Sequence, residues 1–149
     1  MKKAIPFSLF LLLFIACEKE FEPPFDNQKF YDYHETQNWN SEDFKSELIG
    51  EWQLIYQYCC SEATSAAWAD VREEEYVLNI GVDSIQVYRK GELASTTFWE
   101  LETRGETAFY LNSEVGIENT FGTIYLNKEY LLFNGSPSDG SDSYYERIK

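Results

Sequence analysis

The feature that most constrains the fold is a series of short β-rich runs separated by turn residues. The first run begins at Ile49 and alternates between apolar and polar side chains, with Ile55 breaking the alternation. The other seven runs cover 76–80, 84–89, 92–103, 107–112, 121–126, 130–134 and 144–149. Because nearly all of them are joined by hairpin-length turns, they predict an all-β fold, an eight-stranded antiparallel up-and-down barrel, rather than a sandwich with long crossing connections.

A short helix is predicted directly before the first strand, over residues 41–45. Asn40 or Ser41 is suited to cap it, and acidic residues follow in its first turn. The one long connection, 59–75, is predicted to form a lid between the first and second strands. We expect one domain, residues 41–149, because the chain is too short for a tether and two domains.

The interior of such a barrel is either filled by side chains or just wide enough for one small ligand, and composition leaves both alternatives open. The residues expected to face it are candidates for binding an apolar or amphipathic ligand and, equally, for an ordinary core. They are Leu54, Tyr56, Leu78, Ile85, Val87, Trp99, Phe109, Tyr125 and Leu132.

The N-terminus carries a targeting pattern. Two lysines at 2–3 precede an apolar run over 4–15, which ends at Cys17 and is followed by the charged residues 18–20. A membrane-spanning helix needs about 20 apolar residues, so the run is too short for one. It resembles a bacterial lipoprotein signal peptide, residues 1–16, ending in a lipobox. The resemblance implies lipid attachment to Cys17 and anchoring in a membrane.

Residues 17–40 are predicted to be the lipidated N-terminus and a flexible tether, since they contain two prolines, many acids and amides, and no sustained period. Residues 18–20 resemble the Lys-plus-acid signals with which some Gram-negative bacteria export lipoproteins to the cell surface. We expect a location in the cell envelope, at the outer membrane. The periplasmic face and the cell surface remain alternative locations.

Charge and residue types exclude several functions. The chain has 12 basic and 26 acidic residues, a formal charge of −14, which repels nucleic acid. Its one histidine, His34, falls in the predicted tether and is expected to be solvated. A Ser-His-Asp triad or a multi-histidine zinc site within the domain is therefore not predicted. We predict a non-catalytic protein without metal or cofactor.

Cys59 and Cys60 form the one unusual local feature of the predicted domain. Adjacent Cα atoms are about 3.8 Å apart, below the usual disulfide range, and side chains of a strand point to opposite faces. A bridge between them would therefore break the strand at the mouth of the barrel. A vicinal disulfide and two free or partner-linked thiols remain open, and both are favoured over a redox site, which prefers Cys-x-x-Cys.

Gly50-Glu51-Trp52 follows the predicted helix at the start of the first strand, and Arg147 lies on the last strand. With these residues the chain resembles the bacterial lipocalin-like lipoproteins of the calycin superfamily, although the Thr-Asp-Tyr motif of lipocalins in the narrow sense is absent. The resemblance implies that Trp52 closes one end of the barrel and that Arg147 packs across its indole, a structural role.

Two functions are predicted. The first is a membrane-anchored lipoprotein whose barrel binds a small apolar or amphipathic ligand. The alternative is an envelope or cell-surface module with a filled barrel, which would bind a protein partner through aromatic residues of the tether and of the predicted lid, such as Phe30 and Trp68.

Overall fold

A computed structural model describes residues 27–59, 67–138 and 140–148. The predictions on residues 1–26, on residues 60–66, which include Cys60, and on the side chain of Cys59 lie outside the described residues. The helices are α1 (Asn27–Gln37) and α2 (Ser41–Leu48). The strands are β1 (Gly50–Cys59), β2 (Ala67–Asp70), β3 (Tyr76–Ile80), β4 (Ser84–Arg89), β5 (Glu92–Arg104), β6 (Ala108–Ser113), β7 (Thr123–Leu126), β8 (Tyr130–Asn134) and β9 (Asp142–Arg147), with short 3₁₀ turns at Arg72–Glu74 and Ser136–Ser138.

The strands form a closed antiparallel barrel, which confirms the predicted fold class. Each strand from β3 to β8 pairs with the next one along the chain, and β1 pairs with both β3 and β9. These eight strands close the ring. The short helix predicted before the barrel is α2, and the side chain of Asn40 caps it by accepting from the backbone N–H groups of Glu42 and Asp43 at 3.0 and 2.9 Å.

The ninth strand, β2, was not predicted. It lies on the same side of β1 as β3, because β1 pairs with β3 through residues 50–53 and with β2 through residues 56–59. A hydrogen bond from Val71 N to Ile55 O extends the pairing of β1 with the chain that follows β2 by one more residue. Part of the predicted lid, 59–75, is therefore an extension of the barrel wall.

Helix α1 occupies part of the segment predicted as a tether. Phe30 and His34 are one helical turn apart, share a face, and are both buried against the barrel wall. Asn38, at φ 49°, ends the turn that leads towards α2. The segment 27–37 is thus a packed part of the domain, a difference from the prediction that arises from two buried side chains in an otherwise polar sequence.

Cross-strand pairing assigns each residue to the inner or outer face of the wall, since directly opposite residues share a face. Leu54 pairs with Tyr145, and Tyr145 with Leu131, all three within the inner apolar cluster. A bulge in β1 between Leu54 and Tyr56 then reverses the alternation. Ile55 and Tyr56 both belong to the outer cluster, together with Tyr144, the partner of Tyr56.

Candidate functional site

One end of the barrel is closed by α2, Trp52 and Arg147. The guanidinium carbon of Arg147 lies 4.1 Å from the centroid of the Trp52 ring, the contact that the lipocalin-like resemblance implies. Trp52 Nε1 donates to Leu48 O at 2.9 Å, and the Arg147 guanidinium donates to Glu47 O and, at 3.2 Å, to Ile49 O. Arg147 therefore ties the last strand to the carbonyl groups at the C-terminus of α2.

Helix α2 also inserts side chains into the barrel. Phe44 and Leu48 are fully buried one helical turn apart, and the Phe44 ring stacks on that of Phe109 with 4.0 Å between centroids and 11° between planes. The sequence prediction included Phe109 and missed Phe44. The spacing of Phe44 and Leu48, one helical turn apart and immediately before the first strand, was the signal that could have identified α2 as the closure of this end.

Six of the nine predicted interior residues lie together in the inner cluster. They are Leu54, Leu78, Ile85, Val87, Trp99 and Phe109. Each is buried to at least 96%, in contact with a continuous set of apolar neighbours that includes Phe133 and Tyr145. These residues form the core of the barrel.

The opposite end of the barrel is covered by residues 114–122, the connection between β6 and β7, which we call the capping loop. Tyr76 and Tyr145 donate their phenolic hydrogens to the carbonyl oxygens of Glu118 and Asn119, at 2.8 and 3.1 Å. Arg89 at the end of β4 pairs with the Glu118 carboxylate. Ile117 packs against the inner cluster from this side. The sequence carried no signal for this loop as a lid.

The two tyrosines below the capping loop are in apolar surroundings. Burial raises the pKa of Tyr76 to about 12, partly offset by the charge of Arg89. Burial also raises the pKa of Tyr145, whose side chain is fully enclosed, well above its usual value. Both phenols are therefore neutral hydrogen-bond donors at physiological pH, rather than acid or base groups.

The prediction that Tyr56, Tyr125 and Leu132 face the interior is wrong. All three contact the outer cluster, where α1 covers the wall. The bulge after Leu54 reverses the alternation at Tyr56, and Tyr125 pairs with Leu132, which pairs with Tyr144 of the outer cluster. Leu132 is fully buried, so its apolar character reflects the helix above it and not a ligand site.

The outer cluster also contains aromatic residues that the sequence assigned to a partner surface. Phe30 is fully buried, with its ring centroid 5.8 Å from that of Tyr144. Trp68 packs between Tyr58 and Tyr144, with centroid distances of 4.8 and 4.7 Å. These side chains hold α1 and β2 against the barrel.

His34 is buried, contrary to the prediction that it is solvated; only 4% of it is exposed. Its ring has edge contacts with Phe44, Phe109 and Tyr125, and its Nε2 lies 3.0 Å from Thr107 O, which implies that Nε2 carries the proton. Nδ1 is buried without a partner. Burial lowers the pKa of His34 below its usual value, although the Thr107 carbonyl and Glu35 act in the opposite direction.

Several large apolar side chains lie at the surface around β5. Phe98 is 63% exposed, Leu93 54%, and Val115, just beyond β6, 66%. Beside Phe98 a notch of about 250 Å³ opens outward, lined by Phe98, Trp99, Glu100, Asn112, Ser113 and Glu114. A second groove, of about 550 Å³, crosses the outer faces of β1, β3 and β4 beside Tyr88 and Ile148. The sequence analysis identified neither of these grooves.

The strand pairing and the closed ring define an eight-stranded, up-and-down antiparallel β-barrel with a short helix at one end. In the ranges that the structure describes, no helix is long and apolar enough to cross a membrane. The same ranges contain no group of three or more His, Cys, Asp or Glu side chains placed to hold a metal ion.

Among solved structures, the chain is similar to a lipocalin-like protein from Bacteroides uniformis, with 18% sequence identity and a TM-score of 0.40. The match covers 68% of this chain and 99% of that one. No protein-family model and no curated protein matches the sequence.

Proposed function

We propose that this protein is a lipid-anchored, non-catalytic lipoprotein of the cell envelope whose side-chain-filled barrel serves as a protein-interaction module. The observation that carries the filled barrel is the position of Tyr145. Its fully buried ring lies in the inner cluster with centroids 5.7 Å from Phe133 and 6.4 Å from Tyr76, and its hydroxyl bonds to the capping loop. A ligand on the barrel axis would have to displace this side chain.

The closure of both ends supports the same function. At one end Phe44 stacks on Phe109, and at the other Ile117 packs onto the core beneath the capping loop. Exposed apolar side chains occur instead on the outside, at Leu93, Phe98 and Val115. With the interior closed, these exposed side chains are the apolar groups available for contact with another macromolecule.

The membrane anchor rests on the pattern that ends at Cys17. It is tested by separating membranes from soluble fractions of cells that produce the wild-type chain or Cys17→Ala. We expect the wild type in the membrane fraction, with an N-terminal peptide heavier by a diacylglyceryl group, and Cys17→Ala without this added mass. Cys60→Ala is the matched control and should keep the added mass. A wild-type N-terminal peptide without it would contradict the anchor.

Native mass spectrometry with gentle organic extraction tests the filled barrel. The protein should be produced in a bacterial envelope, so that any natural occupant has the opportunity to bind. We expect the mass of the polypeptide and its N-terminal modification with no stoichiometric addition. An additional mass that is bound non-covalently, recurs in repeated preparations and is lost on organic extraction would contradict the filled barrel.

A ligand-binding barrel is the second candidate function, because an eight-stranded barrel can hold one small ligand. The observation that favours it is the attachment of the capping loop, which the two phenols of Tyr76 and Tyr145 hold by hydrogen bonds to backbone carbonyls. If that loop opened, two neutral donors would lie at the mouth of an apolar interior. The mass measurement above distinguishes the two functions directly.

A further inference from the structure

Strand β5 has a partner on only one side along its first half. It pairs with β4 from Glu92 to Phe98, but with β6 only from Trp99 to Arg104. Beyond Ser113 the chain leaves β6; Glu114 N still donates to Phe98 O at 3.3 Å, and Val115 N to Thr97 Oγ1 at 3.3 Å. In the part of the chain that the structure describes, no strand lies along the outer edge of residues 92–96.

The direction of the backbone groups follows from the neighbouring bonds. Trp99 N donates to Asp83 O, on the β4 side, whereas Phe98 O accepts from Glu114, on the β6 side. Successive residues of a strand direct their N–H and C=O groups to opposite sides, so Thr96 directs its groups to the same side as Phe98. Among the described residues no backbone group pairs with Thr96 on this side, so its N–H and C=O are a donor and an acceptor available at this edge.

The edge is accessible and lacks the usual protection. All residues from Glu92 to Thr96 are exposed. Edge strands are commonly protected from pairing by lysine or proline, and residues 92–97, Glu-Leu-Ala-Ser-Thr-Thr, contain neither. The exposed Leu93 and Phe98 lie at its two ends. This stretch is suited to accept a strand from outside the barrel.

The notch beside Phe98 lies where β6 ends and the free edge begins. Glu100 and Glu114 are among its lining residues, whereas no Lys or Arg is. The Lys45 ammonium, 5.0 Å from the Trp99 ring centroid, approaches that ring from α2. Two carboxylates and the ring of Phe98 together offer an environment for one cationic side chain.

We propose that residues 92–97 of β5 accept an extended, basic segment of another envelope protein as an added strand, and that the notch binds a Lys or Arg side chain of that segment. This proposal rests on the proposed function as an interaction module and names the class of its partner. A second copy of the chain is disfavoured as the occupant, because each copy carries a formal charge of −14 and would bring its own acidic residues to the same edge.

The proposal is tested with a displayed library of random nine-residue peptides, selected on the full-length protein kept in mild detergent. We expect the selected peptides to be rich in β-branched residues and to share one Lys or Arg. Glu100→Gln with Glu114→Gln should weaken their binding at least tenfold, and Glu73→Gln with Glu74→Gln, away from the notch, should leave it unchanged. Selection of no peptide, or of peptides without a shared basic residue, would overturn the proposal.

Two variants of Thr96 separate strand addition from contact between side chains. Thr96→Pro removes the outward N–H, a change that an edge strand can accommodate, and should reduce binding at least tenfold. Thr96→Ala keeps the N–H and should bind within about twofold of wild type, since no side-chain contact is assigned to Thr96 in the proposed pairing. Circular dichroism and thermal melting check that both variants fold.

Strand addition can also be tested by changing the peptide instead of the protein, so that the protein's folding is unaffected. Methylation of alternate peptide nitrogens, in each of the two registers, should abolish binding in one register and spare it in the other. Equal binding of both methylated peptides would overturn strand addition. Failure of the proposed function is recognised separately, by a bound small molecule in the mass spectrum, whatever the peptide selection gives.

Discussion

The guanidinium of Arg147 covers the Trp52 indole at 4.1 Å and bonds to the carbonyls of Glu47 and Ile49, so one side chain joins the last strand, the first strand and α2. Arg147→Ala removes the cation–π contact and both hydrogen bonds. We expect it to lower the free energy of unfolding by about 2–3 kcal/mol. Urea denaturation followed by tryptophan fluorescence measures the change.

Arg147→Lys is the matched variant for this site. It keeps the positive charge over the indole but lacks the planar fork that reaches two carbonyls. An intermediate loss of stability is expected. If Arg147→Ala unfolds at the same urea concentration as wild type, the closure of this end does not depend on Arg147.

Gly122, at the end of the capping loop, is predicted to be irreplaceable. Its φ is +109°, and a Cβ atom built there would lie 2.1 Å from Asn134 O. Gly122→Ala should therefore cost more than about 3 kcal/mol, since it adds a backbone clash to the strain of about 1–2 kcal/mol that a left-handed conformation imposes. Gly91→Ala, at φ +77° with no atom within 4 Å of the added Cβ, should show the strain alone. Equal losses in the two variants would contradict the close approach.

The buried His34 predicts a loss of stability in mild acid. Burial lowers the pKa of His34 from its usual value of 6.5, so the unfolded chain binds a proton at a pH where the folded protein does not. The stability that comes from the neutral imidazole is present above pH 6.5 and decreases as the pH falls towards the folded pKa. His34→Phe removes this titration while keeping an aromatic ring.

The pH experiment compares urea unfolding of the wild type and His34→Phe at pH 7.5 and pH 5.5. Between pH 7.5 and pH 5.5 we expect the wild type to lose more unfolding free energy than His34→Phe. This comparison does not depend on how much stability the variant loses, at both pH values, with the bond to Thr107. A difference that is independent of pH would show that His34 has the same pKa in both states.

Hydrogen exchange of the capping loop tests the role of the two phenols. Tyr76→Phe and Tyr145→Phe each remove one bond to a loop carbonyl, worth about 1 kcal/mol, and should accelerate exchange of amides in 114–122 roughly fivefold where opening is local. Tyr88→Phe, which loses a bond to Gln86 on the outer wall, is the control. Unchanged exchange in both Tyr76→Phe and Tyr145→Phe would show that packing of Ile117 alone holds the capping loop.

The number and order of the barrel strands could be predicted because each hairpin carries its own local signal. Lys90-Gly91 and Arg104-Gly105 are examples, with φ above zero at Lys90, Gly91 and Gly105. The inner face was predictable where alternation continues without interruption, as from Leu78 to Ile80 and from Ile85 to Val87. The prediction of the inner face failed at Tyr56. The break in alternation at Ile55 coincides with the bulge in β1, but the residue types alone do not show that the bulge moves Tyr56 to the outer face.

The elements that the sequence missed depend on contacts between distant segments. Helix α1 is polar apart from a few residues, and it is held by packing of Phe30 and His34 on strands far along the chain. Strand β2 has four residues and exists as an addition to β1. The capping loop is fixed by Tyr76 and Tyr145, whose hydroxyl partners are backbone carbonyls and so have no sequence signature.

The packing of α1 on the barrel shortens the segment that would join the barrel to the proposed membrane anchor. Asn27 bonds to Asp142 and Tyr144, so the chain joins the barrel at the start of β9, the end that the capping loop covers. On the proposed anchor, the ten peptide units from Cys17 to Asn27 reach at most about 35 Å when fully extended. On this proposal the capped end stays within that distance of the lipid head groups, a shorter reach than a tether extending to residue 40 would give.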